Sequence, residues 1–282
     1  MANVFHPGNT ALITGGASGI GRALAEKCLS RDMKVIIADW DDELLSQLQN
    51  YLGSPILFKM DVGNLEDWDR LKKKVDEEFG GKLNLLALNA GVGIRSSWSD
   101  AESFQKTVNT NLFGVINGIT TVLPAVKAAA SAGGHSAVVI TGSKQGITNP
   151  PGNPAYNSSK AAVKTLAEHL SFDLRNEANI GVHLLVPGWT FTGMTGGRSN
   201  GSEEMKKPDG AWYPEQVVEY LQKKMAEGKF YIICPDNDVS EETDKKRMLW
   251  TAGDVVEGRP PLTRWRDEWK EKAQEWMDNQ KV

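Results

Sequence analysis

Tyr156 and Lys160 stand four residues apart in a stretch of helical period, so both side chains fall on one helix face. A phenol with a pKa of about 10 is a poor base at neutral pH. A nearby ammonium favours the phenolate. Bringing the phenol down by about 3 pH units takes roughly 4 kcal/mol of differential stabilisation, which a cation at contact in a partly dry site can supply. Such a tyrosine can take a proton from an alcohol, or give one to a carbonyl oxygen. Ser143 follows the apolar stretch 138–141, and its hydroxyl can hold a substrate oxygen and stabilise charge developing there. Taken singly, a Tyr-x-x-x-Lys pair is more often a surface pair, and a lone serine a loop hydroxyl.

A second cluster points to a dinucleotide. After an apolar stretch comes Thr14-Gly15-Gly16-Ala17-Ser18-Gly19-Ile20-Gly21. Gly15 permits the sharp turn, Gly19 lets the backbone approach a pyrophosphate, and Gly21 lets the following helix pack close. A phosphate there meets free N–H groups and the positive end of a helix dipole. Asp39 lies at the end of the second apolar stretch, roughly 20 residues on, where a carboxylate accepts hydrogen bonds from adenosine ribose hydroxyls and repels a 2′-phosphate. Neither Ser18 nor Trp40 is basic, so NAD is expected over NADP. The competing reading of Asp39 is a cap for the next helix.

These groups need a scaffold. The chain has 282 residues, 40% hydrophobic and 24% charged, with a net charge of −4. That is an ordinary globular composition and excludes bulk disorder. Apolar stretches at 11–14, 35–39, 56–60, 83–89, 137–141, 182–186 and 230–233 read as strands covered on both faces. Helical stretches at 20–30, 42–51, 65–79, 101–130 (one helix or two), 155–176 and 214–227 lie between them. This alternation predicts a doubly wound parallel sheet in one domain, 1–282. No apolar run approaches the roughly 20 residues of a membrane span, and the acidic balance argues against nucleic acid. With only Cys28 and Cys234, no disulfide scaffold is expected. The scattered His6, His135, His169 and His183 suggest no metal site. The first seven residues lack a basic region followed by an apolar stretch, so no secretory signal is expected, and the low cysteine count favours a cytoplasmic protein.

The glycine-rich run, Asn89-Ala90-Gly91, Ser143, Tyr156-x-x-x-Lys160 and Pro187-Gly188 together resemble the short-chain dehydrogenase/reductase family over residues 8–234. The resemblance implies a Rossmann-type doubly wound parallel sheet of about seven strands. It implies that Lys160 also binds the nicotinamide ribose, and that Asn111, within Asn111-Leu112-Phe113-Gly114, holds a water in a proton relay, with Asn109 a nearby competitor. Asp61 and Val62 resemble an adenine-binding pair. Pro187 and Gly188, with Thr190 and Thr192, resemble the segment contacting the carboxamide. The cofactor set is therefore Gly15, Ala17, Ser18, Gly19, Ile20, Gly21, Asp39, Trp40, Asp61, Val62, Asn89, Ala90, Gly91, Tyr156, Lys160, Pro187, Gly188, Thr190 and Thr192. Asn89 has the alternative role of tying strands together. A homodimer or homotetramer follows by the same resemblance.

Substrate contacts are expected from the loops 93–100, 145–153 and 190–213: Ile94, Gln145, Asn153, Trp189 and Met194 beside Ser143. Trp98, Ile147, Phe191, Trp212 and Tyr213 add to apolar walls. Arg95 and Arg198 leave an anionic substrate open. Gly193, Gly196 and Gly197 suit a lid, or a surface loop. Residues 235–282 form a charged extension. Asp238 with Glu241 resembles a helix start for 239–256, and Trp265, Trp269, Ala273 and Trp276 share one face of a second helix. That face docks on the chain's own body, on another subunit or over the pocket. The expected activity interconverts a small secondary alcohol and a ketone with NAD, Tyr156 moving the proton. The competing readings are an NADP-dependent biosynthetic ketoreductase and a nucleotide sensor without turnover.

Overall fold

Continuous apolar stretches become strands because both faces of the sheet are covered. β1 (Thr10–Thr14) is buried throughout, and β2 (Lys34–Asp39) is buried after its first residue. The computed structural model describes residues 4–49, 54–195 and 206–282. Among these, β1 and β2 are joined by β3 (Ile56–Lys59), β4 (Leu85–Leu88), β5 (Ser136–Thr141), β6 (Ile180–Val186) and β7 (Tyr231–Ile233). All pair in parallel, in the order β3-β2-β1-β4-β5-β6-β7. The order reverses between β1 and β4, so a crevice opens outside the carboxyl ends of those strands.

The helices are α1 (Gly19–Leu29), α2 (Asp42–Leu48), α3 (Leu65–Phe79), α4 (Ala101–Val108), α5 (Gly114–Ser131), α6 (Gln145–Thr148), α7 (Pro154–Asp173), α8 (Pro214–Ala226), α9 (Glu241–Val256) and α10 (Lys270–Asn279). Strand alternation splits the core in two. Ile13, Val35 and Ile37 pack with Leu24 of α1 and Leu221 of α8. Leu12, Ile36 and Leu86 pack with Trp68 of α3, Val122 of α5 and Val163 of α7. Trp68 is wholly buried, donates its indole N–H to Val62 O at 2.8 Å, and faces Gly118, where a Cβ would meet the ring at 2.7 Å.

Several boundaries differ from the sequence expectation. β4 is shorter than 83–89 because the flanking asparagines pair through side chains, Asn84 Oδ1 accepting from Thr10 N at 3.1 Å and Asn89 Oδ1 from Thr141 Oγ1 at 3.1 Å. Residues 101–130 form a helical run whose α4 and α5 meet in a π-helical segment, Asn109–Phe113. That run, Ala101–Ser131, is long and apolar enough to cross a membrane by length and composition, contrary to the expectation that none is. Asn117, Thr120, Thr121 and Lys127 interrupt its apolar sequence without ending the helix. Its Val115, Val122 and Val126 face the core. The expected continuation of α2 to Tyr51 lies outside the described residues.

The extension is helical, with corrections. α9 is capped by Ser240, whose Oγ accepts from Thr243 N at 3.1 Å, and not by Asp238. Trp265 and Trp269 sit on short 3-10 turns before α10, because Arg266 is extended between them. The buried residues of α10 are Ala273 and Met277, while Trp276 packs edge-on against Trp250 of α9 at 5.5 Å. The extension docks on the chain's own body through α9 against α6.

Candidate active site

The glycine-rich run leaves β1 at the crevice. Gly15 has φ +61°, and a Cβ there would stand 2.8 Å from Ala90 Cα. At Gly21 a Cβ would lie 2.1 Å from Gly15 O, so any larger residue forces α1 off the sheet. Ser18 precedes α1 without a side-chain cap, which leaves the helix's first N–H groups open to an anion. Asp39 is buried and accepts from Ala17 N at 3.0 Å and Asp41 N at 3.1 Å. Desolvation holds its carboxyl above the ordinary value, against those backbone bonds. The cap of α2 is Asp41, bonded by Glu43 N and Leu44 N at 3.1 Å each, so the capping alternative for Asp39 falls. Trp40 is exposed.

Asn89 donates from Nδ2 to Thr14 O at 3.2 Å and Gly15 O at 3.3 Å. With its bond from Thr141 it ties β1, β4 and β5 together, as its alternative role requires. Asp61 is exposed and accepts from Gly63 N at 2.8 Å; Val62 is buried against Gly114. Both follow β3, on the outer side of β2.

Ser143, Tyr156 and Lys160 meet at the carboxyl end of β5. The Tyr156 phenol faces the Ser143 hydroxyl, and Ser143 Oγ accepts from Gln145 N at 3.2 Å. Lys160 is buried, donates to Thr141 O at 2.8 Å and lies 5.9 Å from the Tyr156 ring centre. Burial pushes the Tyr156 phenol above its ordinary value, and Ser143 only partly opposes it. Desolvation lowers Lys160 to about 8. The depression expected from the lysine together with an oxidised nicotinamide's charge is absent from the protein by itself. In the protein alone, desolvation dominates, and the ammonium is turned toward a backbone carbonyl.

Asn111 lies in the π-helical segment, fully buried. Its Oδ1 accepts from Val92 N at 2.8 Å, and its Nδ2 donates to Val92 O at 3.0 Å and Ser159 Oγ at 3.1 Å. A Cβ at Gly91 would touch Asn111 Oδ1 at 3.3 Å and Lys160 Nζ at 3.5 Å, so Asn111 and the lysine flank one glycine. The competitor Asn109 starts the same segment; its Nδ2 would stand 3.5 Å from a Cβ at Gly63.

Pro187, Gly188 and Trp189 follow β6. Thr190 bridges to Trp212, and Phe191 N donates to Trp212 O at 2.8 Å. Thr192 lies over the glycine-rich run, its Cγ2 3.0 Å from a Cβ at Gly19. Met194 lies over Gly93, its Cγ 3.0 Å from a Cβ there. Trp189, Ile94, Met194 and Gln145 are solvent-facing at this edge. Asn153 differs: its Oδ1 accepts from Ser96 Oγ at 2.7 Å and its Nδ2 donates to Ile94 O at 3.1 Å, so both amide ends hold the loop before α4. Gly196, Gly197 and Arg198 fall outside the described residues. A separate cavity of about 600 Å³ between α9 and α10, lined by Arg247, Arg264 and Trp265, shares no residue with this site.

Sequence reasoning missed Thr14, Thr141 and Ser159, whose bonds orient Asn89, Lys160 and Asn111. It also missed Lys144, Asp236 and Asp244. Only the Ser143–Lys144 adjacency could have drawn attention to them.

Residues 9–203 match the profile of a family described as short chain dehydrogenase. The chain is 36% identical over 183 residues to the oxidoreductase asL5 of Sarocladium schorii, covering 64% of this chain and 71% of that protein. It is 33% identical over 175 residues to a cis-2,3-dihydrobiphenyl-2,3-diol dehydrogenase of Pseudomonas putida, covering 59% and 61%. A short chain dehydrogenase/reductase of Burkholderia phymatum, solved in complex with NAD, superposes with TM-score 0.78 at 28% identity over 93% of this chain and 98% of that one.

Proposed function

Since the chain belongs to the short-chain dehydrogenase/reductase family, we propose that it is an NAD-dependent oxidoreductase interconverting a secondary alcohol and a ketone. The observation that carries this reading is the meeting of Ser143, Tyr156 and the buried Lys160 at the carboxyl end of β5. In oxidation, the Tyr156 phenolate takes the hydroxyl proton while Ser143 holds the substrate oxygen. In reduction, the phenol returns that proton to the forming alkoxide. The Lys160 ammonium stabilises the phenolate, and Asn111 fixes the segment at Val92 beside it. The chemistry that a nicotinamide held there would supply is the uptake or release of the hydride.

The residues present fit a dinucleotide. The uncapped start of α1 suits a pyrophosphate, Asp39 suits a ribose diol, and the crevice between β1 and β4 leads to Lys160. The Asp39 carboxylate, with no basic residue at 18 or 40, supports NAD over NADP. Exposed Ile94, Trp189 and Met194 support an apolar substrate, as does the cyclic diol named for one relative. The small-molecule role and a homo-oligomeric assembly belong to the same proposal.

Two measurements test it. Tyr156→Phe should lower turnover about 10²- to 10⁴-fold while nucleotide affinity stays near wild type; retained turnover rejects the acid/base role. Asp39→Ser should erode the preference for NAD over NADP, whereas a wild-type preference for NADP rejects the ribose assignment.

A further inference from the structure

Lys144 directly follows Ser143, and its side chain is only 13% exposed. Its Nζ lies 3.2 Å from Asp236 Oδ2 and also contacts Asp244 Oδ2; those two side chains are 9% and 2% exposed. Both carboxylates come from the chain beyond residue 203, outside the stretch shared with the family profile. Asp236 Oδ2 also accepts from Trp189 N at 3.3 Å. A Cβ at Gly188 would lie 2.8 Å from that same oxygen and 2.9 Å from Lys144 Nζ. Asp244 sits in the first turn of α9, within 3.9 Å of Arg247, and α9 packs on α6, whose first N–H bonds Ser143 Oγ. One buried ionic cluster therefore touches the serine turn, the loop after β6 and the C-terminal extension.

Taking three charges out of water is costly, and an apolar replacement of such a group is often no less stable. Stability alone is a poor reason to build it. Catalysis supplies a better one, because a misplacement of about 1 Å between reacting groups can cost roughly 10²-fold in rate. We propose that Lys144, Asp236 and Asp244 are positioning residues, through which the C-terminal extension fixes the Ser143 hydroxyl relative to the Pro187–Gly188–Trp189 loop. This rests on the function proposed above. Ser143 holds the substrate oxygen, and the loop runs on to Thr192 over the glycine-rich run that would hold the dinucleotide, so the cluster sets the spacing between the two reaction partners. Asp244 acts only through Lys144.

The test uses the full chain with Asp244→Asn and with the triple variant Lys144→Met/Asp236→Asn/Asp244→Asn, which removes all three buried charges and leaves only the part-exposed Arg247 without its carboxylate. Each should lower kcat about 10- to 100-fold, with NAD affinity within about twofold of wild type and an unchanged thermal midpoint in the triple variant. In the nucleotide-free protein, Asp244→Asn should also speed amide hydrogen exchange in the peptides 142–149 and 187–192 together, a coupling independent of turnover. The proposal is overturned if kcat stays within about twofold of wild type in both variants. It is equally overturned if exchange changes only within 241–256. Failure of the underlying reading looks different: Tyr156→Phe keeps turnover while the exchange coupling persists.

Discussion

Lys160 carries the sharpest conflict between stability and chemistry. Desolvation alone brings its ammonium from an ordinary 10.5 to about 8, so the unfolded chain holds that proton across an interval where the folded chain has released it. Folding therefore gains as pH rises from about 8 to about 10.5, and the burial costs on the order of 3 kcal/mol at neutral pH. Lys160→Met should raise the thermal midpoint at pH 7, less the loss of its bond to Thr141 O, while lowering oxidative turnover at least about 10²-fold. The turnover deficit should narrow at alkaline pH, as hydroxide removes the Tyr156 proton without help. An unchanged pH profile would separate the lysine from the phenol. The pattern of residue types was enough to single out these two side chains. It could not give the direction in which the phenol is shifted, because that depends on how dry the assembled pocket is.

Regular elements set where the turns that hold most of the site emerge. β6 carries His183, buried, with Nδ1 2.7 Å from Lys229 O; an N–H there donates to that carbonyl between α8 and β7. Desolvation holds its imidazole below the ordinary value. The folded chain thus resists protonation that the unfolded chain accepts, and stability contributed by neutral His183 is lost as pH falls below its usual 6.5. The thermal midpoint should drop between pH 7 and 5, and His183→Gln should flatten that drop; differential scanning fluorimetry across pH reads both. Most element boundaries were legible because apolar period and caps such as Asn64 are local signals. The π-helical turn at Asn111 was not, since the residues that bond its side chain, Val92 and Ser159, are distant in sequence.

For the whole molecule, the extension after β7 forms a small core of its own. Trp250 is buried, donates to Thr263 Oγ1 at 2.8 Å and lies under the Arg259 guanidinium at 3.9 Å. Elsewhere, α7 leaves Phe172 62% exposed beneath Arg175, on a helix expected to pair between subunits. Sedimentation should report a dimer or tetramer, with Phe172→Glu shifting it toward monomer and leaving the monomer's thermal midpoint nearly unchanged. A wild-type monomer would reject the pairing.

The sequence by itself determined the parallel sheet, its helices and the family, because each rests on short-range pattern: apolar runs, glycines where backbones cross, and motifs held within one turn of helix. Tertiary structure alone decided that Asn89 ties three strands, that Asn153 holds a loop, and that Asp236 and Asp244 reach back to the residue beside Ser143. Those contacts join positions roughly 50 to 100 residues apart. No local periodicity encodes such a meeting; it exists only once the strands have set where each turn emerges.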